Sequence, residues 1–75
     1  MIICAHELVN DNVINFGTAK AKTLGKVTLV ASLNPQMKTI EGVCLKTGEA
    51  LQLQEVNKQP VCVFDSAYVA NYLRD

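Results

Sequence analysis

The sequence predicts a mainly β protein, built as a small, partly open barrel of five to six strands with a short C-terminal helix. Three observations support this prediction: short segments in which apolar and polar residues alternate, a turn-forming glycine at Gly48, and a helical spacing of apolar residues near the C-terminus. The 75 residues make one small domain, 1–75, because a chain of this size has room for a single core.

The first strand is predicted over residues 1–9, where β-branched residues near the start favour extended backbone. Alternation would place one set of side chains on a single face: Ile2, Cys4, His6 and Leu8. The turn formers at 10–12 end this strand. A second strand begins at Val13 and is interrupted by Gly17, as a bulge or a true break.

Residues 18–24 have two interpretations. Thr18 as a cap, helix-favouring alanines and lysines, and Gly25 as a stop predict a short helix, which would make the fold an α+β sheet with a helix at about 18–24. Alternation over the same residues predicts a strand that turns at Leu24 and Gly25 into a strand at 26–32. We favour the hairpin, since a seven-residue helix without an apolar stripe has little to bury.

A central hairpin is predicted from residues 39–45 and 49–56, closed by 46–48. A type I turn with a glycine bulge would place Val43 opposite Leu51 and collect Val43, Leu45, Leu51 and Leu53 on one face. A tighter two-residue turn would instead group Cys44 with Leu51. Periodicity alone leaves this register open, because a slip of one residue exchanges the two faces of a strand.

After a loop at 57–60, residues 61–64 are apolar on both faces and predict a short central or covered strand. Asp65 and Ser66 can cap a helix, whose apolar stripe is Tyr68, Val69, Tyr72 and Leu73. The order Phe64-Asp65-Ser66-Ala67-Tyr68-Val69 resembles the strand-to-3₁₀ segment near the end of Src-homology-3 domains, small barrels of similar size. Since the chain lacks tryptophan, the resemblance implies no peptide-binding site of that family.

Composition points towards protein partners. Hydrophobic residues make up 49% of a chain that has much surface for its volume, so we expect some apolar area to stay exposed and to favour a homo-oligomer or an unidentified protein partner. Seven basic and seven acidic residues cancel, which argues against a polyanion-binding arm or a polybasic membrane anchor. The candidate interface is the helix stripe of Tyr68, Val69 and Tyr72.

The alternative function is weak nucleic-acid binding by a small β-barrel, with phosphate contacts from Lys20, Lys22 and Lys26. Nucleic-acid surfaces usually add arginines or stacking aromatics, whereas this chain has Arg74 as its one arginine. The lysines are better explained as a solvated strand face. Nucleic acid is therefore the less favoured partner.

A remote alternative is a Cys₃His zinc site formed by Cys4, His6, Cys44 and Cys62. Isolated cysteines inside apolar strands are more typical of small core side chains, so we predict reduced thiols in a cytoplasmic, non-enzymatic protein without cofactor or catalytic residues. We find no signal-peptide pattern and no segment of membrane-spanning length. The compact chain is also compatible with a phage or mobile-element accessory protein.

Overall fold

The computed structural model describes residues 1–74 of the 75-residue chain. Its elements, in order, are β1 (Ile2–Cys4), a 3₁₀ turn (Ala5–Glu7), β2 (Val13–Asn15), β3 (Leu24–Asn34), β4 (Met37–Cys44), β5 (Ala50–Val56), β6 (Pro60–Cys62) and α1 (Ser66–Arg74). None of the helices within this part of the chain is long and apolar enough to cross a membrane.

Four strands form one antiparallel sheet in the order β2-β3-β4-β5, and β1 pairs with β6 in a separate two-stranded sheet. The larger sheet curls into a half-barrel. A register shift between Val27 and Leu29 marks an irregularity in β3, and such bulges bend a strand and increase its twist. The predicted mainly β fold, a partly open barrel of six strands with a short C-terminal helix, is confirmed.

The inner face of the half-barrel holds the core. The side chains of Ile14, Val27 and Ile40 are fully buried there, and Ala5 and Leu8 join them from the chain segment that follows β1. Leu24 is fully buried as well, but it alternates with Gly25 and Val27 and so lies on the opposite face of β3. On the inner face the Phe16 ring packs against the backbone of Gly42, because a Cβ added to Gly42 would lie 2.6 Å from the ring. The glycine therefore makes room for an aromatic ring above the sheet.

The β4–β5 hairpin has a register that neither predicted turn describes. Cys44 donates its N–H to the Glu49 carbonyl at 2.8 Å, and Val43 stands opposite Ala50 rather than Leu51. Val43 is consequently 38% exposed, and the predicted face that contained it is wrong. The alternative grouping of Cys44 with Leu51 on one face is correct, although a longer turn at 45–48 produces it. Gly48 has a φ of +77° there, which glycine adopts without strain.

Residues 18–23 form neither the predicted helix nor the predicted strand, and the α+β alternative is wrong. They belong to the loop that joins β2 to β3, where Leu24 and Gly25 lie inside β3, opposite Asn15 and Ile14. Polar side chains satisfy the loop backbone: the Asn15 amide oxygen accepts the N–H groups of Gly17 and Thr23, each at 2.9 Å. Such local bonds compete with helix and sheet hydrogen bonding.

The first strand ends at Cys4, well before the predicted boundary at residue 9. Glu7 accepts the Cys4 N–H at 2.8 Å and holds the chain in a 3₁₀ turn directly after the strand. The predicted common face of Ile2, Cys4, His6 and Leu8 is therefore wrong: the 3₁₀ turn breaks the alternation after Cys4, so that His6 is exposed and Leu8 is buried.

At the other end, β6 is shorter than the predicted strand 61–64, and it pairs with β1 outside the four-stranded sheet. Cys62 is exposed, so the expectation of a central or covered strand is wrong at this position. The predicted helix cap is confirmed, since Asp65 accepts the Tyr68 N–H at 2.8 Å. Residues 66–69 are α-helical and do not form the 3₁₀ turn that the Src-homology-3 resemblance implies.

Candidate functional site

The free edge of β5 is the most distinctive surface of this fold. β5 lies at the end of the four-stranded order and pairs with β4 alone. Hydrogen bonds alternate along an antiparallel pair, and the bond from Cys44 to Glu49 sets the phase. Leu51 and Leu53 therefore bond towards β4, whereas the backbone N–H and C=O groups of Ala50, Gln52 and Gln54 point away from the sheet.

The opposite edge of the sheet is less accessible. On the outer side of β2, the Val13 carbonyl accepts the Phe64 N–H at 2.9 Å, so the segment after β6 covers part of this edge. Within residues 1–74, β5 is thus the edge of the half-barrel that keeps a continuous row of outward-pointing backbone groups.

The sequence of β5 gives this edge little protection. Natural edge strands are commonly blunted by charged side chains, especially lysine or charges that point inward, by proline, by a bulge or by a very short length. β5 is seven residues long, Ala-Leu-Gln-Leu-Gln-Glu-Val, without lysine or proline, and its pairing with β4 shows no register shift. Only Glu55 carries a charge. A regular, nearly uncharged edge of this length is suited to pair with another strand.

A cleft of about 250 Å³ lies beside this edge, in the seam between the half-barrel and the β1–β6 pair. Its walls come from β2, β5, β6 and the segment after β6: Ile14, Asn15, Leu53, Glu55, Pro60, Val61, Cys62 and Phe64. Leu53 and Glu55 point to the inner face, as their partners on β4 are Ile40 and Lys38. A strand added to β5 would turn alternate side chains towards this cleft.

The predicted tyrosine interface packs against its own chain. The Tyr68 hydroxyl accepts a hydrogen bond from the Lys22 ammonium at 2.8 Å, and the Tyr72 hydroxyl accepts the Leu24 N–H at 3.3 Å. Tyr68 also stacks on Phe64, with 4.6 Å between ring centroids. Val69, which lies between the two tyrosines in the sequence, is half-buried. Tyr68 remains 39% exposed, but both hydroxyls are already engaged in holding α1 to the half-barrel.

The three residues of the predicted lysine patch belong to two neighbouring parts of the chain. Lys20 and Lys22 lie in the β2–β3 loop, whereas Lys26 lies in β3 opposite Val43. Lys22 turns towards α1, and its hydrogen bond to Tyr68 raises the pKa of its ammonium. A further lysine lies near the helix, since the Lys46 ammonium is 4.3 Å from the centroid of the Tyr72 ring. The sequence gives no reason to expect this contact.

The cysteines and His6 are not brought together. Among the described residues, no group of three or more His, Cys, Asp and Glu side chains could hold a metal ion. His6 Nδ1 lies 2.6 Å from the Asn57 carbonyl. Cys44 is buried, Cys4 is half-buried and Cys62 is exposed at the cleft, so the expectation of three core thiols is wrong for Cys62.

Two thiols have shifted pKa values. A hydrogen bond from the Thr47 side chain lowers the pKa of Cys44, with help from the Thr47 and Lys46 N–H groups. Burial, followed by the nearby Glu7 carboxylate, raises the pKa of Cys4. The least accessible thiol is therefore the one whose thiolate is stabilised, which is an unfavourable arrangement for a reactive nucleophile.

No protein family model, curated protein or solved structure gives a significant match to this chain. The fold and the geometry of β5 define a structural class all the same: a small β half-barrel with an accessible edge strand and an adjoining cleft.

Proposed function

We propose that this protein is a non-enzymatic protein-interaction module that accepts an extended strand along β5. The supporting observation is the row of backbone donors and acceptors at Ala50, Gln52 and Gln54, which β4 leaves unused. Adding a strand to an exposed sheet edge is a recurrent mode of peptide recognition, in which the main chain provides affinity and alternate side chains provide specificity.

The second copy of this chain is one such partner. A symmetric pairing of two β5 strands is antiparallel, and it can place Leu51 of one copy opposite Leu53 of the other while Gln52 sits at the two-fold axis. The leucines would extend the apolar inner face across the dimer. The same register also brings Glu49 opposite Glu55, and like charges directly opposite each other oppose pairing. We therefore expect weak self-association that grows with protein concentration.

The free thiols favour a reducing cellular compartment. Cys4, Cys44 and Cys62 are all free, and one of them is exposed. Free exposed thiols persist where the surroundings are reducing, so we place the protein in the cytoplasm. We do not propose nucleic-acid binding, because Lys22 is hydrogen-bonded to Tyr68 and the Tyr68 ring is stacked on Phe64.

The test compares Gln52→Pro with Gln52→Ala. The Gln52 N–H points away from β4, so proline removes an edge donor and adds a ring at the edge while the β4–β5 bonds stay in place. Alanine removes the same side chain but keeps the donor. Amide NMR spectra and sedimentation would be recorded from tens of micromolar to one millimolar.

We expect concentration-dependent amide shifts centred on residues 50–54 in the wild type and in Gln52→Ala, and their loss in a folded Gln52→Pro variant. Shifts centred on α1 would move the interface to the helix. A strictly monomeric protein whose β5 amides also fail to respond to strand-forming peptides would reject the proposed function.

A further inference from the structure

We propose that the cleft beside β5 selects, as its partner, an extended segment of a different protein that carries a basic side chain. The inference rests on the proposed strand-accepting function of β5 and names the chemistry of the strand. It follows from the one carboxylate in the cleft wall, from the apolar surface around it, and from the side chains that a second copy of β5 can offer.

Glu55 provides the negative charge. Its side chain is half-buried and forms part of the cleft wall, and it is the one charged residue among those that line the cleft. Lys38 stands opposite Glu55 on β4, but its ammonium donates a hydrogen bond to the Ser32 hydroxyl at 2.9 Å. The carboxylate is thus left to attract a cation that arrives from the open side of β5.

The remaining walls suit the stem of a long side chain. Leu53 and Val61 pack against the core from the two sides of the cleft, and Phe64 and Ile14 extend the apolar surface. Lysine and arginine bury their aliphatic stems along such surfaces and keep the charged end near a polar partner. A neutral aliphatic side chain would use the walls but would leave Glu55 without a partner.

A second copy that pairs through its own β5 cannot supply this cation. The side chains that β5 directs to its inner face are Leu51, Leu53 and Glu55, and none of them is basic. Glu49, which directly precedes the strand, is acidic as well. In the leucine-to-leucine register described above, Glu55 faces Glu49 of the other copy. Charge complementarity therefore favours a basic strand from another protein over self-pairing.

The test uses three capped heptapeptides as probes. The first, Thr-Val-Thr-Lys-Thr-Val-Thr, places Val, Lys and Val on one face of a strand. In the second and third peptides, norleucine and glutamate replace the lysine. Binding to the full chain would be followed by amide shifts at Gln52, Gln54 and Cys62, for the wild type and for Glu55→Gln.

For the wild type we expect the lysine peptide to bind about two- to five-fold more tightly than the norleucine peptide, the range of a partly exposed ion pair, and the glutamate peptide to bind most weakly. Glu55→Gln should remove the preference for lysine while norleucine binding stays unchanged. The same variant should strengthen self-association, because it removes the Glu49–Glu55 opposition.

The possible failures are distinguishable. If the β5 amides respond equally to all three peptides, or if Glu55→Gln keeps the lysine preference, strand binding stands and charge selection is overturned. If no peptide shifts the β5 amides at millimolar concentration, the strand-accepting function itself fails. Should Glu55→Gln not fold, the comparison of the three peptides on the wild-type protein still decides the charge preference.

Discussion

The Lys22 ammonium donates a hydrogen bond to the Tyr68 hydroxyl at 2.8 Å, although the two residues are 46 positions apart in the sequence. The same ammonium lies 5.4 Å from the centroid of the Tyr68 ring. This pair ties the β2–β3 loop to α1. It joins one residue of the predicted lysine patch to one residue of the predicted tyrosine interface in a contact within the chain.

Tyr68→Phe should lower the pKa of Lys22, because the hydroxyl that raises it is removed while the ring remains. A raised pKa in the folded state stabilises the protein below the pKa of the unfolded lysine, about 10.4, and this contribution is lost as pH rises through the folded-state pKa. The stability difference between wild type and Tyr68→Phe should therefore be present at neutral pH and disappear in strong alkali.

NMR titration of the Lys22 side chain, together with denaturation at neutral and alkaline pH, measures both effects. Tyr72→Phe is the matched control, since the Tyr72 hydroxyl accepts the Leu24 N–H and leaves Lys22 untouched. An unchanged Lys22 pKa in Tyr68→Phe would contradict the hydrogen bond.

The observed register of β4 predicts a large loss of stability at one apolar position and a small loss at another. Ile40 is fully buried on the inner face, whereas Val43 is 38% exposed on the outer face. Ile40→Ala should lower the free energy of unfolding by about 2–5 kcal/mol, through lost burial and the cavity that remains. Val43→Ala should cost less than about 1 kcal/mol. Urea denaturation measures both, and a larger loss at Val43 would support the register that places this residue in the core.

Gly42→Ala should destabilise the fold, because the new methyl group would meet both Phe16 and the backbone. It would lie 2.6 Å from the Phe16 ring and 2.7 Å from the Lys26 carbonyl oxygen, and the carbonyl cannot move without disturbing β3. Overpacking of this kind costs about 1–3 kcal/mol.

The control for Gly42→Ala is Gly48→Asn, at a position with open space and a φ of +77° that asparagine tolerates. Thermal unfolding of the two variants should show a clear loss for Gly42→Ala and a small one for Gly48→Asn. Equal losses would mean that close packing over Gly42 does not limit stability.

Thiol labelling at neutral pH should modify Cys62 first, because it is the exposed cysteine. Cys44 should react slowly in spite of its lowered pKa, since a buried sulfur is shielded from reagent, and Cys4 should be slow because its pKa is raised. Mass spectrometry of digested, partly labelled protein gives the order. Thr47→Val should raise the pKa of Cys44, and rapid native labelling of Cys44 would contradict its burial.

Residues that act within a few positions of one another could be predicted from the sequence. The cap at Asp65, the helix after it and the turn at Gly48 depend on local hydrogen bonds and backbone preferences. The loop at 18–23 was missed because its structure depends on the Asn15 side chain, which binds backbone groups on both sides of the loop.

The sequence by itself determined that this protein is mainly β with a short C-terminal helix. The alternation of apolar and polar residues, the helical spacing of apolar residues and the helix cap all depend on residues that are close together in the sequence. Only the tertiary structure decided that Val43 faces solvent, that Lys22 binds Tyr68, and that β5 is the open edge with Glu55 beside a cleft. The physical reason is that strand order and register arise from pairing between distant segments, and a slip of one residue preserves every local preference while it reverses the faces.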